Sequence, residues 1–64
     1  MFKDVLKRKR KDLRMSQVEL AERVGVSNRT ISEWEKGSRE PTLFLLEALA
    51  DFFECSLDEL ADRK

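Results

Sequence analysis

Residues 16–37 read SQVELAERVGVSNRTISEWEKG, and the pattern in this stretch decides the fold. Ser16 is a good helix N-cap, and Glu19 three residues on completes a capping box, so each side chain satisfies the other residue's free backbone N–H. Leu20, Ala21 and Val24 then fall at i, i+1 and i+4, the apolar stripe of a short helix. Gly25 ends that helix, because the left-handed residue that closes a helix costs glycine nothing. Val26 is apolar between two helices, and Ser27 caps the second. Ile31 and Trp34, at i and i+3, give the second helix a narrow buried stripe and leave Asn28, Arg29, Thr30 and Glu33 on its other faces. The reading is two helices and a tight turn over 17–36, the second helix at about 28–36.

Working outward, Phe2, Val5, Leu6 and Leu13 fall at i, i+3, i+4 and i+11, which predicts an amphipathic first helix over 2 to about 13. Downstream, Ser38-Arg39-Glu40 is polar and loop-like, and Glu40 is biased to an extended conformation by Pro41. Thr42 caps a fourth helix without a capping box, since Leu45 stands three residues on. Leu43, Leu46, Leu49, Ala50 and Phe53 form its apolar face, and Phe44, Leu45 and Phe52 are apolar beyond what that face requires. They read either as extra core or, for Phe44 above all, as a subunit interface. Ser56 caps a fifth helix with Glu59 as capping-box partner, Leu57, Leu60 and Ala61 pack it down, and Asp62-Arg63-Lys64 is expected to fray. The fold class is therefore all-α, a compact bundle of five short helices in a single domain, 1–64.

Sixty-four residues leave room for one small core. With no histidine and one cysteine the chain builds neither an internal disulfide nor an ordinary zinc site, so no metal and no cofactor are expected. Cys55 suits a reducing compartment and should pack as a small apolar side chain. No apolar run approaches a membrane span and no signal-peptide core is present, so a cytoplasmic protein without membrane contact is the expectation. An enzyme is disfavoured, because no nucleophile–base pair or glycine-rich phosphate loop is visible. The zero net charge hides an asymmetry. Residues 1–39 hold eleven Lys or Arg against six Asp or Glu, and residues 40–64 hold two against seven. A nucleic-acid-binding face with an acidic face opposite would give this pattern, as would two solvated surfaces of opposite sign.

The stretch resembles the helix-turn-helix of the Cro/cI-like (lambda-repressor-like, xenobiotic-response-element) DNA-binding family. The matching residues are Gln17, Leu20, Ala21, Val24, Gly25, Val26, Ile31, Trp34, Glu35 and Gly37, and the likeness continues through Glu40-Pro41-Thr42 and Ser56-Leu57-Asp58-Glu59-Leu60. The resemblance implies that Arg10 pairs with Glu35 as a structural ion pair. It also shows Arg14 and Glu54 standing where relatives usually carry glycine. Glu54 must supply a turn that glycine makes more easily, and Arg14 either accepts a positive φ at some cost or, close to the amino end of the second helix, reaches a phosphate. In this docking mode the second helix lies in the major groove of double-stranded DNA, its first turn over base edges. Arg29 can then donate twice to guanine, Asn28 can pair with adenine, Thr30 can touch a thymine methyl or a phosphate, and Glu33 can accept from cytosine or, at i+4, steady Arg29. Gln17 aligns with the family's backbone-gripping glutamine, and Ser27, Lys36, Ser38 and Arg39 flank the helix as phosphate contacts. The run Lys7-Arg8-Lys9-Arg10-Lys11 adds mainly long-range field.

The resemblance further implies a transcriptional regulator, a repressor more than an activator, that binds a palindromic operator as a weak homodimer through its C-terminal helix region. The alternative is a protein-interaction module of the same fold, such as an antitoxin or anti-repressor, whose Phe44 and Leu45 meet a protein partner.

Overall fold

Every helix but the first begins where the sequence supplies a side-chain cap. In the computed structural model, which describes residues 1–62, α1 spans Phe2–Asp12, α2 Gln17–Val24, α3 Asn28–Lys36, α4 Leu43–Phe53 and α5 Leu57–Ala61. Among the described residues there is no strand, and no helix is long and apolar enough to cross a membrane. Of the end expected to fray, Arg63 and Lys64 lie outside the described residues.

The Ser16 hydroxyl accepts from Glu19 N–H and the Glu19 carboxylate accepts from Ser16 N–H, both at 3.0 Å, so the capping box of α2 is closed. Ser27 accepts from Thr30 N–H at 3.1 Å and Thr42 from Leu45 N–H at 3.3 Å. At α5 the expectation fails in part. Ser56 accepts from Glu59 N–H, but the Glu59 carboxylate turns to Lys9 Nζ at 2.6 Å and leaves the box open. A charged ammonium offers a carboxylate a stronger bond than a neutral amide N–H does, and this one also ties α5 to α1.

All five helix ends close through left-handed residues. Two are glycines, Gly25 and Gly37; three are not, Arg14 at φ 57°, Glu54 at φ 56° and Asp62 at φ 58°. At Glu54 the turn is held by Cys55 N–H on the Ala50 carbonyl at 3.0 Å and Glu54 N–H on Asp51 at 3.2 Å, and Met15 N–H on Arg10 and Arg14 N–H on Lys11 repeat that wiring at the end of α1. A side chain in this region costs about 1–2 kcal/mol, more than the extra backbone entropy glycine loses on folding, about 0.5–1 kcal/mol. Glu54 is exposed and forms no ion pair among the described residues. Glu54→Gly should therefore raise stability by about 0.5–1 kcal/mol, read as a higher denaturant midpoint at unchanged slope. An unchanged or lower midpoint would mean that the turn carries little strain.

Every helix contributes to one buried cluster: Val5 and Leu6, Leu20 and Ala21, Ile31 and Trp34, Leu49 and Ala50, and Leu60. α2 packs on α3 and α4, α1 on α3 and α5, and α4 on α5. Leu45, Phe52 and Cys55 lie partly buried against this cluster, while Phe44 is exposed. Burial raises the Cys55 thiol's pKa, Glu59 adding to the effect and Lys9 opposing it. Two residues assigned to apolar faces are mostly exposed. Leu13 is the residue after the last turn of α1 and leaves its stripe. Leu43, in the first turn of α4, sits on the rim of a shallow cleft formed with Leu46, Leu57 and Ala61 rather than in the core.

Candidate nucleic-acid interface

α3 is held by three inward side chains. Ile31 and Trp34 are buried, Trp34 with its ring edge-on to Phe2 at 6.4 Å between centroids. Glu35, one position on, turns a carboxylate that is 4% exposed toward Arg10. Arg10 Nε donates to Glu35 Oε2 at 2.6 Å, Nη2 donates to Oε1 at 3.0 Å, and Nη1 donates to the Met15 carbonyl at 2.7 Å. Gln17 Nε2 completes the set on Glu35 Oε1 at 3.1 Å. One carboxylate thus joins α1, α2 and α3, and the Arg10–Glu35 pair implied by the resemblance is present. Burial pushes the Glu35 carboxyl up, yet the bonds from Arg10 and Gln17 and the charges of Arg10 and Lys7 together hold it below the ordinary glutamate range. Arg10 is pushed up by its bond to Glu35.

With that face locked, helical periodicity fixes what α3 shows to solvent. Asn28 and Arg29 are exposed on its first turn, Arg29 at 88%. Glu33, one turn on and partly buried, lies between two guanidiniums: its carboxylate is 3.7 Å from Arg29 Nε and 3.9 Å from Arg39 Nε. Exposed pairs of this kind are worth no more than ~1 kcal/mol, so Glu33 biases both arginines without locking either. Lys36 and Arg39 are exposed. The structure therefore brings Asn28, Arg29, Glu33, Lys36 and Arg39 onto one side of α3 and its following loop.

The remaining candidates are partly committed elsewhere. Thr30 is half-buried, its hydroxyl 2.8 Å from that of Ser27. Ser38 spends both donors, hydroxyl and backbone N–H, on the Glu33 carbonyl that ends α3. Gln17 gives one of its two amide hydrogens to Glu35 and keeps the other. In the basic run of α1, Arg10 is consumed by Glu35 and Lys9 by Glu59, leaving Lys7, Arg8 and Lys11 exposed. Ser32 was not anticipated. It stands at i+4 from Asn28 and i+4 before Lys36, a position that counting two full turns of α3, instead of the first alone, would have found.

Two short helices crossing through a left-handed glycine, the second anchored by Ile31, Trp34 and Glu35, agree with a family model described as "Helix-turn-helix", which matches residues 6–60. The chain belongs to the Cro/cI-like helix-turn-helix family. Among its relatives, Repressor protein C2 of Salmonella phage P22 is 42% identical over 55 residues, covering 86% of this chain and 26% of the relative. A crystal structure of the P22 c2 repressor in complex with a synthetic operator superposes with a TM-score of 0.88 at 38% identity, over 94% of this chain and 91% of that one. The HTH-type transcriptional activator BcrR of Enterococcus faecalis is 36% identical over 59 residues, 92% of this chain and 29% of the relative. The cryptic phage CTXphi repressor RstR of Vibrio cholerae is 34% identical over 62 residues, 97% of this chain and 55% of the relative. The chain thus spans about a quarter to about half the length of these relatives. The relatives named here are transcriptional regulators, and the family model and these relatives point to a DNA-binding regulator rather than an enzyme.

Proposed function

We propose that the chain binds double-stranded DNA sequence-specifically and regulates transcription, with α3 as the recognition helix in the major groove. The observation that carries the reading is the division of α3 into a locked inward face and an open first turn bearing Asn28 and Arg29. Such a helix is rigid where precision is needed and polar where base edges would lie. In this reading Asn28, Arg29, Thr30 and Glu33 face bases, and Gln17, Ser27, Lys36, Ser38 and Arg39 face phosphates, with Ser38 releasing the Glu33 carbonyl to do so. The protein acts in the cytoplasm as a weak homodimer joined through α4 and α5, whose acidic half stays away from DNA. It represses by covering a promoter.

Selection of bound sequences from a random duplex library at moderate salt tests this. A palindrome with half-sites one helical turn apart is the expected result; no enrichment at all would sink the reading. Arg29→Ala should then lose ~1–3 kcal/mol of discrimination at one base step while the steep salt dependence of binding persists. Equal loss on every sequence would assign Arg29 to a phosphate.

A second reading, a protein-binding module of the same fold, draws support from Phe44, 77% exposed, and Leu43, 65% exposed. Under it, Arg29→Ala leaves the partner complex intact.

A further inference from the structure

The first turn of α1 reaches the far end of the recognition helix. Gly37, left-handed at φ 82°, closes α3, and a Cβ added there would stand 2.9 Å from Lys3 Cδ and 3.8 Å from Lys3 Nζ. The lysine stem therefore lies directly on the last turn of α3. Lys3 is half-buried, and its ammonium has no hydrogen-bond or ion-pair partner among the described residues. It shares a cleft with Phe2, Trp34, Gly37, Arg39 and Glu40. Arg39 in turn lies against Glu33, and Glu33 against Arg29. A line of neighbouring side chains thus runs from the base-facing first turn of α3 to Lys3.

We infer that Lys3 is a further phosphate contact, forming with Lys36 and Arg39 a cationic clamp on the DNA backbone at the C-terminal end of α3; this rests on the DNA-binding reading above. Two features select Lys3 over the more conspicuous basic run. Packing of its stem on Gly37 removes most of the freedom a surface lysine loses when it grips a phosphate, so its contact is cheaper in entropy. Two members of the run are also spent inside the fold, Lys9 on Glu59 and Arg10 on Glu35, and the exposed Lys7, Arg8 and Lys11 are not held by packing on α3 as Lys3 is. Glu40 is the one acid lining the cleft. Glu40 is itself exposed, so solvent screens its charge.

The rival role for Lys3 is structural, its charge merely opposing the negative end of the α3 dipole. Lys3→Met separates the two, because it keeps the stem and removes the charge. Binding of the unsubstituted chain and of Lys3→Met to the selected operator and to a scrambled duplex is measured from low to high salt. The expected result is a loss of roughly five- to ten-fold at 0.1 M salt on both duplexes, with the log–log salt slope shallower by about 0.9, the signature of one phosphate contact. The unfolding midpoint should stay unchanged. An unchanged affinity and slope, or a fall in midpoint that accounts for the loss, would overturn the proposal. Operator binding by the unsubstituted chain with an unaltered Lys3→Met slope refutes Lys3 alone; absence of binding by the unsubstituted chain refutes the DNA-binding reading and this clamp together.

Discussion

Trp34→Ala is expected to unfold the chain at ordinary temperature. Trp34 is 2% exposed, is the largest side chain of the buried cluster, and packs edge-on against Phe2 from α1. Truncating a buried tryptophan costs ~3–5 kcal/mol through lost burial and the cavity left behind. A chain of 64 residues has a total stability of roughly 3–10 kcal/mol on the usual per-residue scale, so the loss is comparable to the whole. Relaxation recovers little, because Ile31, Leu6 and Leu20 are already fully buried and close-packed. Far-UV circular dichroism reads the outcome directly, and it is needed because Trp34 is the single tryptophan and its removal abolishes intrinsic fluorescence as a probe. Should the variant stay helical and lose only DNA binding, Trp34 would belong to the interface and not to the core.

Arg10→Met carries the second large effect. It removes three hydrogen bonds at once, two to Glu35 and one to the Met15 carbonyl, and leaves a nearly buried carboxylate facing Gln17 alone. Breaking one side of a buried pair typically costs ~3–5 kcal/mol, whereas replacing both sides with apolar groups is close to neutral. Arg10→Met should therefore be severely destabilised at pH 7, and Arg10→Met/Glu35→Leu should recover most of the loss.

The pH dependence of the two chains should run in opposite directions. In the native chain the folded-state pKa of Glu35 is lowered. Its contribution is therefore fully present above the unfolded value, about 4.3, and is lost as pH falls through the folded value. Glu19, bonded to Ser16, and Glu59, bonded to Lys9, are also lowered and share this acid limb. Without Arg10, burial is opposed only by the Gln17 hydrogen bond and the Lys7 charge, and the Glu35 pKa is expected to rise. Protonation then favours the folded state, and Arg10→Met should lose less stability than the native chain between pH 6 and 4. Parallel pH profiles for the two chains would show that Arg10 does not set the ionisation of Glu35.

The sequence by itself determined the five helices and most of their caps, because those depend on side chains within four positions of each other. Ser16, Ser27, Thr42 and Ser56 each bond the backbone N–H three residues ahead, and nothing distant is required. The turn at Glu54 was legible for the same local reason, once compared with a family that prefers glycine there, whereas at Arg14 the sequence left a strained turn and a phosphate contact both open and the structure decided for the left-handed turn. Local pattern failed where a distant group made a better offer. Glu59 left its capping box for Lys9, fifty positions away in sequence, and Leu43 kept the period of an apolar face yet stays mostly exposed on the edge of the cleft between α4 and α5. The candidate interface divides in the same way. The exposure of Asn28 and Arg29 follows from the period of α3, with Ile31 and Trp34 turned inward. That Glu33 stands between Arg29 and Arg39, that Gln17 is half committed to Glu35, and that Lys3 reaches Gly37 are facts only the tertiary structure decided. The physical reason is that short-range periodicity fixes which way a side chain leaves its own helix, whereas the partner it meets depends on where the other helices pack.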